Sequence, residues 1–281
     1  MKATLNAILA RLDTLPPARP ILIRLLRMAS EPDIGARDLV GVVEVDVSLT
    51  ANLLRVCNTP EYSGSRPIAT LNEAVLRLGT RTLLQLVIAQ ECEGVMSGVL
   101  TGYGLTRSDL WRHSTGAGTA ARILAQKAHE PRTALAYTGA LLHDLGKVVL
   151  DVFLQQQVKE IVARVRAGAD FATAEAEVLG VGHDALGARI AQKWGFPDPL
   201  VWMIGHHHSP GSAPGEQKLC SLVHLGDAVA HWLGIGLGRP ELAARFDAKV
   251  VDLLGLTPGD LDQVVIEVSE KMAEKEDLLA A

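Results

Sequence analysis

Apolar residues recur at every third or fourth position along almost the whole chain, and strict apolar–polar alternation is hard to find. Spacing of three and four lines one face of an α-helix, whereas alternation marks a half-buried strand, so the pattern predicts an all-α fold. Helix-start signals fall where the apolar runs begin. Asp33 precedes a helix-like run to Val45, and Thr70 with Glu73 forms a T-x-x-E capping box. Asp198-Pro199 and Thr257-Pro258 each place an N-cap before an N1 proline. Joints at Leu15-Pro16-Pro17 and from Thr59-Pro60 to Arg66-Pro67 separate the predicted helices.

The strongest break lies between Gly94 and Gly104, where four glycines fall in eleven residues. Each costs a helix about 1 kcal/mol relative to alanine. No histidine precedes this break, and all nine follow it. The expected organisation is therefore an N-terminal helical lobe over residues 1–100, a histidine-bearing helical lobe over 101–240 and a C-terminal helical extension over 241–281. A second joint, Ser209 to Glu216, is rich in Pro and Gly. Leu233–Pro240 (LGIGLGRP) follows no strand and lacks the P-loop spacing, so it reads as a connector.

Composition narrows the class. With 281 residues, 48% of them hydrophobic but only 4% aromatic, the chain can build a large core from Leu, Val and Ala. Its 27 basic and 32 acidic side chains leave a net charge of −5, which argues against a general nucleic-acid binder. Cys57, Cys92 and Cys220 lie far apart without a CxxC spacing and read as buried thiols in a reducing compartment. Asn6, Arg11 and Asp13 interrupt the first apolar run, unlike a secretory signal, and no stretch approaches the roughly 18 apolar residues of a spanning helix. These features predict a cytoplasmic protein without membrane contact.

The candidate chemistry is an ordered series of side chains: His113, then His143-Asp144, His183, His207-His208 and Asp227. Any one of them alone is ordinarily a surface residue, a cap or a satisfied core group. An HD pair inside the apolar run LLHDLGKVVL is different, because burial must be offset by pairing or by a metal. Imidazole and carboxylate donors suit Fe, Mn or Zn better than a thiolate-seeking ion. Asp109, four residues before His113, shares its helix face. His206 fits the dipole of an exposed helix end better than a ligand role. His224 and His231 flank Asp227 at helical spacings of three and four.

The order H…HD…H…HH…D resembles the HD superfamily of metal-dependent phosphohydrolases. The stretches around it, among them AYTGALLHDLGKVVL, LGVGHDALGARIAQKWGFPDPLVWMIGHHHSP and LVHLGDAVA, resemble the HDOD (HD-related output domain) branch, and the likeness spans roughly residues 11 to 240. The resemblance implies a two-lobed all-α fold and two divalent ions, Fe or Mn ahead of Zn or Ni. It implies that Asp144 bridges them, with His113, His143 and Asp227 on one and His183, His207 and His208 on the other. Lys147 matches the lysine of the HDxGK motif, near a substrate phosphate. Asp109 stands where some trinuclear relatives place a glutamate. Many HDOD proteins have lost ligands and act as signalling outputs; this chain keeps the whole set but has no GYP motif after His207-His208. The expected function is a regulatory output protein with an intact metal site, acting on a signalling partner. The alternative is a phosphohydrolase acting on a nucleotide or other phosphoester, with Asp144 and Lys147 as the catalytic pair.

Overall fold

The computed structural model describes residues 2–31, 33–62, 66–236, 238–239 and 249–280, with residues 2–3 and 275–280 described by backbone alone. Among them there is no strand; the sole extended pairing is a single bridge between Leu100 and Leu105. In chain order the helices are α1 (Lys2–Asp13), α2 (Pro20–Ser30), α3 (Ala36–Val43), α4 (Val47–Cys57), α5 (Leu71–Leu78) and α6 (Thr80–Met96). After the glycine-rich break come α7 (Asp109–Lys127), α8 (Thr133–Leu142), α9 (Lys147–Arg166), α10 (Phe171–Leu179), α11 (His183–Lys193), α12 (Asp198–His206) and α13 (Gln217–Trp232). A 3₁₀ turn at Pro210–Ser212 fills the Ser209–Glu216 joint, and α14 (Lys249–Leu253) and α15 (Pro258–Ala280) close the chain.

Local chemistry explains the element starts. Thr70 accepts from the Glu73 amide while the Glu73 carboxylate accepts from the Thr70 amide, the reciprocal box read from the sequence. Thr257 and Asp260 exchange the same kind of bonds at the start of α15. Two starts differ by a few residues. Helix α3 is capped by Gly35 and begins at Ala36, and the cap of α12 is Pro197. Among the described residues no helix is long and apolar enough to cross a membrane.

Helices α2 to α6 bury Leu25, Leu26, Leu39, Val43, Leu53, Leu83, Leu84 and Ile88 among themselves. α2 and α6 then pack on α8, joining this layer to the histidine-bearing helices. α1 packs elsewhere, on α9, with Leu5 against Gly180. Lys193 at the end of α11 donates to the carbonyls of Leu12 (2.7 Å) and Asp13 (2.8 Å), and the Trp194 indole donates to Pro16 at 3.0 Å. So the first helix leans on the C-terminal half of the molecule. The C-terminal α15 packs on α7, burying Val264, Val268 and Met272.

The pairing of α7 with α13 sets the site. A Cβ at Gly226 would lie 2.6 Å from the Ala117 carbonyl oxygen, so only glycine permits this backbone approach. Ala117 and Ala121 of α7 face Gly226 across this seam and are buried, while Gly116 faces Ile235 and Gly118 faces Tyr137 of α8. Helices α7 and α13 meet closely enough to bring His113 and Asp227 together.

Candidate metal centre

Four helix ends and two helix interiors converge on one point. α7 supplies His113, and α13 supplies Asp227 and His231. The turn that closes α8 and opens α9 supplies His143, Asp144 and Lys147. His183 is the first residue of α11, and His207-His208 follows the last turn of α12. His113, His143, Asp144, His183, His207 and Asp227 are all buried.

Asp144 is central. Its Oδ2 lies 3.4 Å from His143 Nε2 and 3.8 Å from His113 Nε2, while its Oδ1 lies 3.4 Å from His183 Nε2. Lys147 donates to Oδ2 at 2.6 Å. Asp227 Oδ1 lies 2.9 Å from His113 Nε2, 3.5 Å from His143 Nε2 and 2.9 Å from His231 Nδ1. On the far side, His208 Nε2 and His183 Nε2 are 2.9 Å apart. Three groups of donors could each hold an ion: His183, His207 and His208; His113, His143 and Asp144; and His113, Asp227 and His231.

The outer nitrogens of four of the rings are engaged. Nδ1–H of His143 donates to the Ala140 carbonyl (2.6 Å), that of His207 to Ile204 (2.7 Å) and that of His113 to Ile235 (3.2 Å). Nδ1–H of His183 donates to the buried Glu175 carboxylate at 2.7 Å. With a proton on Nδ1, each neutral ring turns the Nε2 lone pair inward. His224 on α13 donates to the His207 carbonyl at 2.7 Å, fixing the end of α12.

The charge state follows from these neighbours. Burial opposes ionisation of Asp144, but His143, Lys147 and His183 outweigh it and hold the carboxyl well below its ordinary range. Asp227 is held low in the same way, by His231, His113 and His143. Burial and the adjacent imidazoles keep His207 and His208 well below the usual histidine value, hence neutral. Lys147 is disfavoured by burial yet raised overall by Asp144, Asp227 and Glu175, so it stays cationic.

All seven donors of the H…HD…H…HH…D series are thus brought together. Asp109 is not in any of the three donor groups: its carboxylate accepts from the Thr106 amide at 2.6 Å and from the Thr106 hydroxyl, tying the start of α7. His206 instead meets Ser212 Oγ at 3.1 Å. Glu175 and Tyr103 escape the sequence reading, and His231 stands outside the candidate ligand series. His231 was signalled by its spacing of four from Asp227. Tyr103 donates to Glu175 at 2.5 Å and lies beneath Lys147, whose Nζ is 5.6 Å from the ring centroid. The three cysteines are buried, with thiols pushed up to about 11 for Cys57 and about 12 for Cys92 and Cys220, so none is a reactive thiolate.

An all-helical molecule with this donor order around one point is of the HD type. The HDOD domain model matches residues 15–210, and the chain belongs to that family. An uncharacterised protein of Treponema pallidum is 29% identical over 211 residues, which cover 74% of this chain and 40% of that one. The chain therefore spans well under half the length of this curated relative. Among solved structures, an HDOD domain protein of unknown function from Geobacter sulfurreducens superposes with a TM-score of 0.75 at 24% identity, covering 97% of this chain and 94% of that one. A candidate phosphohydrolase from Shewanella amazonensis gives a TM-score of 0.70 at 26% identity, covering 97% and 98%. A candidate signal transduction protein from Marinobacter aquaeolei gives 0.71 at 22%, covering 95% of this chain and 58% of that one.

Proposed function

We propose that this chain is an HDOD regulatory output protein whose C-terminal lobe holds two divalent transition-metal ions, Fe or Mn ahead of Zn or Ni, and that a phosphate-bearing ligand or a signalling protein reads that state. One observation carries the metal reading. His143 Nε2, His207 Nε2 and Asp144 Oδ1 are buried, face the same centre and have no hydrogen-bond partner. An unsatisfied buried polar atom costs about 1–3 kcal/mol, so three in one cluster call for a shared partner. Among the described residues the one ammonium at the centre, Lys147, is already committed to Asp144 Oδ2.

The donor set fits cations. Separations of 2.9–3.5 Å between His113, Asp227, His143, Asp144 and His183 atoms are those of ligands sharing an ion with bonds of about 2.0–2.2 Å. His113, His143 and Asp227 would hold one ion, His183, His207 and His208 the other, and Asp144 would present one oxygen to each. Outer carboxylate and carbonyl partners on Nδ1, present for His113, His143, His183 and His207, are the usual means of fixing such rings.

Catalysis is the second reading, favoured by Lys147 standing beside the donors at the wall of a cavity that also contains His113 and Asp144. A pair of such ions supplies an activated water and a clamp for the departing oxygen of a phosphoester. The chain's own part is to orient the phosphoryl group: the Lys147 ammonium offsets its growing charge, and Leu105, Leu110 and Phe171 exclude bulk water. The likeness to the Shewanella protein supports this reading.

Elemental analysis of the purified chain, followed by turnover of a phosphodiester and a nucleotide panel with added Mn or Fe, tests both readings. Metal without turnover supports the output role. Metal-dependent turnover lost in Asp144→Ala supports the enzyme. A chain that binds no divalent ion after loading overturns the metal centre.

A further inference from the structure

The cavity over the donors has a second basic residue that the metal reading leaves unused. It is bounded by Tyr103, His113, Asp144 and Lys147 on the inner side and by His231 and Arg239 toward the outside. Arg239 belongs to the connector Leu233–Pro240, of which Leu237 and Pro240 lie outside the described residues. The connector is braced against the site at both ends. The Ile235 carbonyl accepts from His113 Nδ1, the Arg239 amide donates to the Tyr103 carbonyl at 3.0 Å, and Arg239 Nε donates to the Gly102 carbonyl at 3.1 Å. The turn it leans on is itself fixed, because Asp151 Oδ1 accepts from the amides of Gly102 (2.8 Å) and Tyr103 (3.3 Å). A guanidinium tethered through Nε has its outer nitrogens preset in a planar fork, the geometry suited to phosphate oxygens.

We propose that Arg239 is the outer half of an anion subsite, with Lys147 its inner half, and that the subsite selects a phosphomonoester. This rests on the reading of a phosphate-bearing ligand over the metal centre. Two features favour a monoester. Two cationic side chains lining one cavity, Lys147 with ammonium protons left over from its bond to Asp144, match a dianionic head better than the single charge of a diester. The cavity is also small: its volume of about 30 Å³ holds about two or three waters. Phe171, Leu105 and Leu110 wall it with apolar surface. A phosphate with one ester arm can enter from the Arg239 side, whereas a diester needs room for a second arm among those residues.

The test is calorimetric titration of inorganic phosphate and, separately, dimethyl phosphate into the full chain, both metal-loaded and after chelator treatment. Inorganic phosphate is expected to bind about tenfold or more tightly than dimethyl phosphate. Arg239→Gln should weaken phosphate by about tenfold or more and leave dimethyl phosphate less affected. Arg239→Lys should recover part of the loss, because it restores the charge without the Nε bond to Gly102. Equal affinities in the Lys and Gln variants would mean that Arg239 only braces the connector, and would overturn the proposal. So would phosphate affinity unchanged by Arg239→Gln, or dimethyl phosphate binding as tightly as phosphate. Metal content measured on the same samples separates the two ideas. A chain that takes up no metal refutes the metal centre alone, since Arg239-dependent phosphate binding after chelation stands on Lys147 and Arg239.

Discussion

Gly146→Ala tests how tightly the HD turn is seated. Gly146 lies between Asp144 and Lys147 with φ −64° and ψ −28°, a helical conformation that alanine adopts freely. Space is the obstacle. A Cβ there would lie 1.9 Å from the His183 carbonyl oxygen and 2.8 Å from both the His183 carbonyl carbon and the Gly187 amide nitrogen. All three are main-chain atoms, so no rotamer change relieves the overlap. Reaching an ordinary carbon–oxygen contact of about 3.4 Å requires the turn and α11 to separate by ~1.5 Å. That shift falls on the His183 Nε2–Asp144 Oδ1 separation, now 3.4 Å. A ligand set tolerates displacements of only about 0.5 Å. Overpacking of this kind costs about 1–3 kcal/mol, and a chain of this size loses roughly 2–4 °C in Tm per kcal/mol. The expected outcome is a Tm lower by roughly 2–12 °C and metal affinity weakened by about 10–100-fold, read by calorimetry and chelator competition. Gly94→Ala is the control: it lies in α6 with nothing within 4 Å of the new methyl group, and should be neutral or slightly stabilising. A Gly146→Ala chain that melts with the parent and keeps its full metal content would refute the reasoning.

Three further outcomes follow from the same geometry. Asp144→Asn removes the charge between the two donor groups and should lower bound metal below half of the parent's on elemental analysis; unchanged stoichiometry would show that Asp144 does not bridge. Glu175→Leu leaves the His183 amide, His183 Nδ1–H and Tyr103 hydroxyl without their acceptor, and should weaken metal by about 10–100-fold, with Glu175→Gln in between because one carbonyl oxygen remains. In the metal-free chain, Asp144 and Asp227 have folded values well below 3.8, so their stabilisation is complete above the unfolded value and is lost as pH falls below it. The fall of Tm on acidification below about pH 4 should therefore be shallower in Asp227→Asn, and identical acid limbs would contradict that assignment.

What the sequence discloses about this molecule depends on how locally each interaction is built. Helices were readable because their causes lie within a turn: the Thr70–Glu73 box and the Thr257 start need no distant residue. The clustered side chains were readable for a related reason, since His143-Asp144 and His207-His208 are adjacent in the chain and sit in apolar runs that must bury them. Asp109 shows where local spacing misleads. It is one turn from His113, but it is equally three residues from Thr106, and at the start of a helix the unpaired amides take the carboxylate first. His231 shows the reverse: the same spacing of four, far from any helix start, does deliver a contact to Asp227 at 2.9 Å. Glu175 and Tyr103 carried no such signal. Glu175 in FATAEAEVL looks like any helix-face carboxylate until Asp151 pins the Gly102–Tyr103 turn on α9 and directs the phenol toward α10. The affiliation of α1 was hidden likewise, because an apolar stripe states that a helix must be covered without stating by what. The glycine-rich break read as a lobe boundary therefore has a second use. It carries Tyr103 to Glu175, and through Glu175 it orients His183, so a segment with little helical propensity of its own supports the donor set.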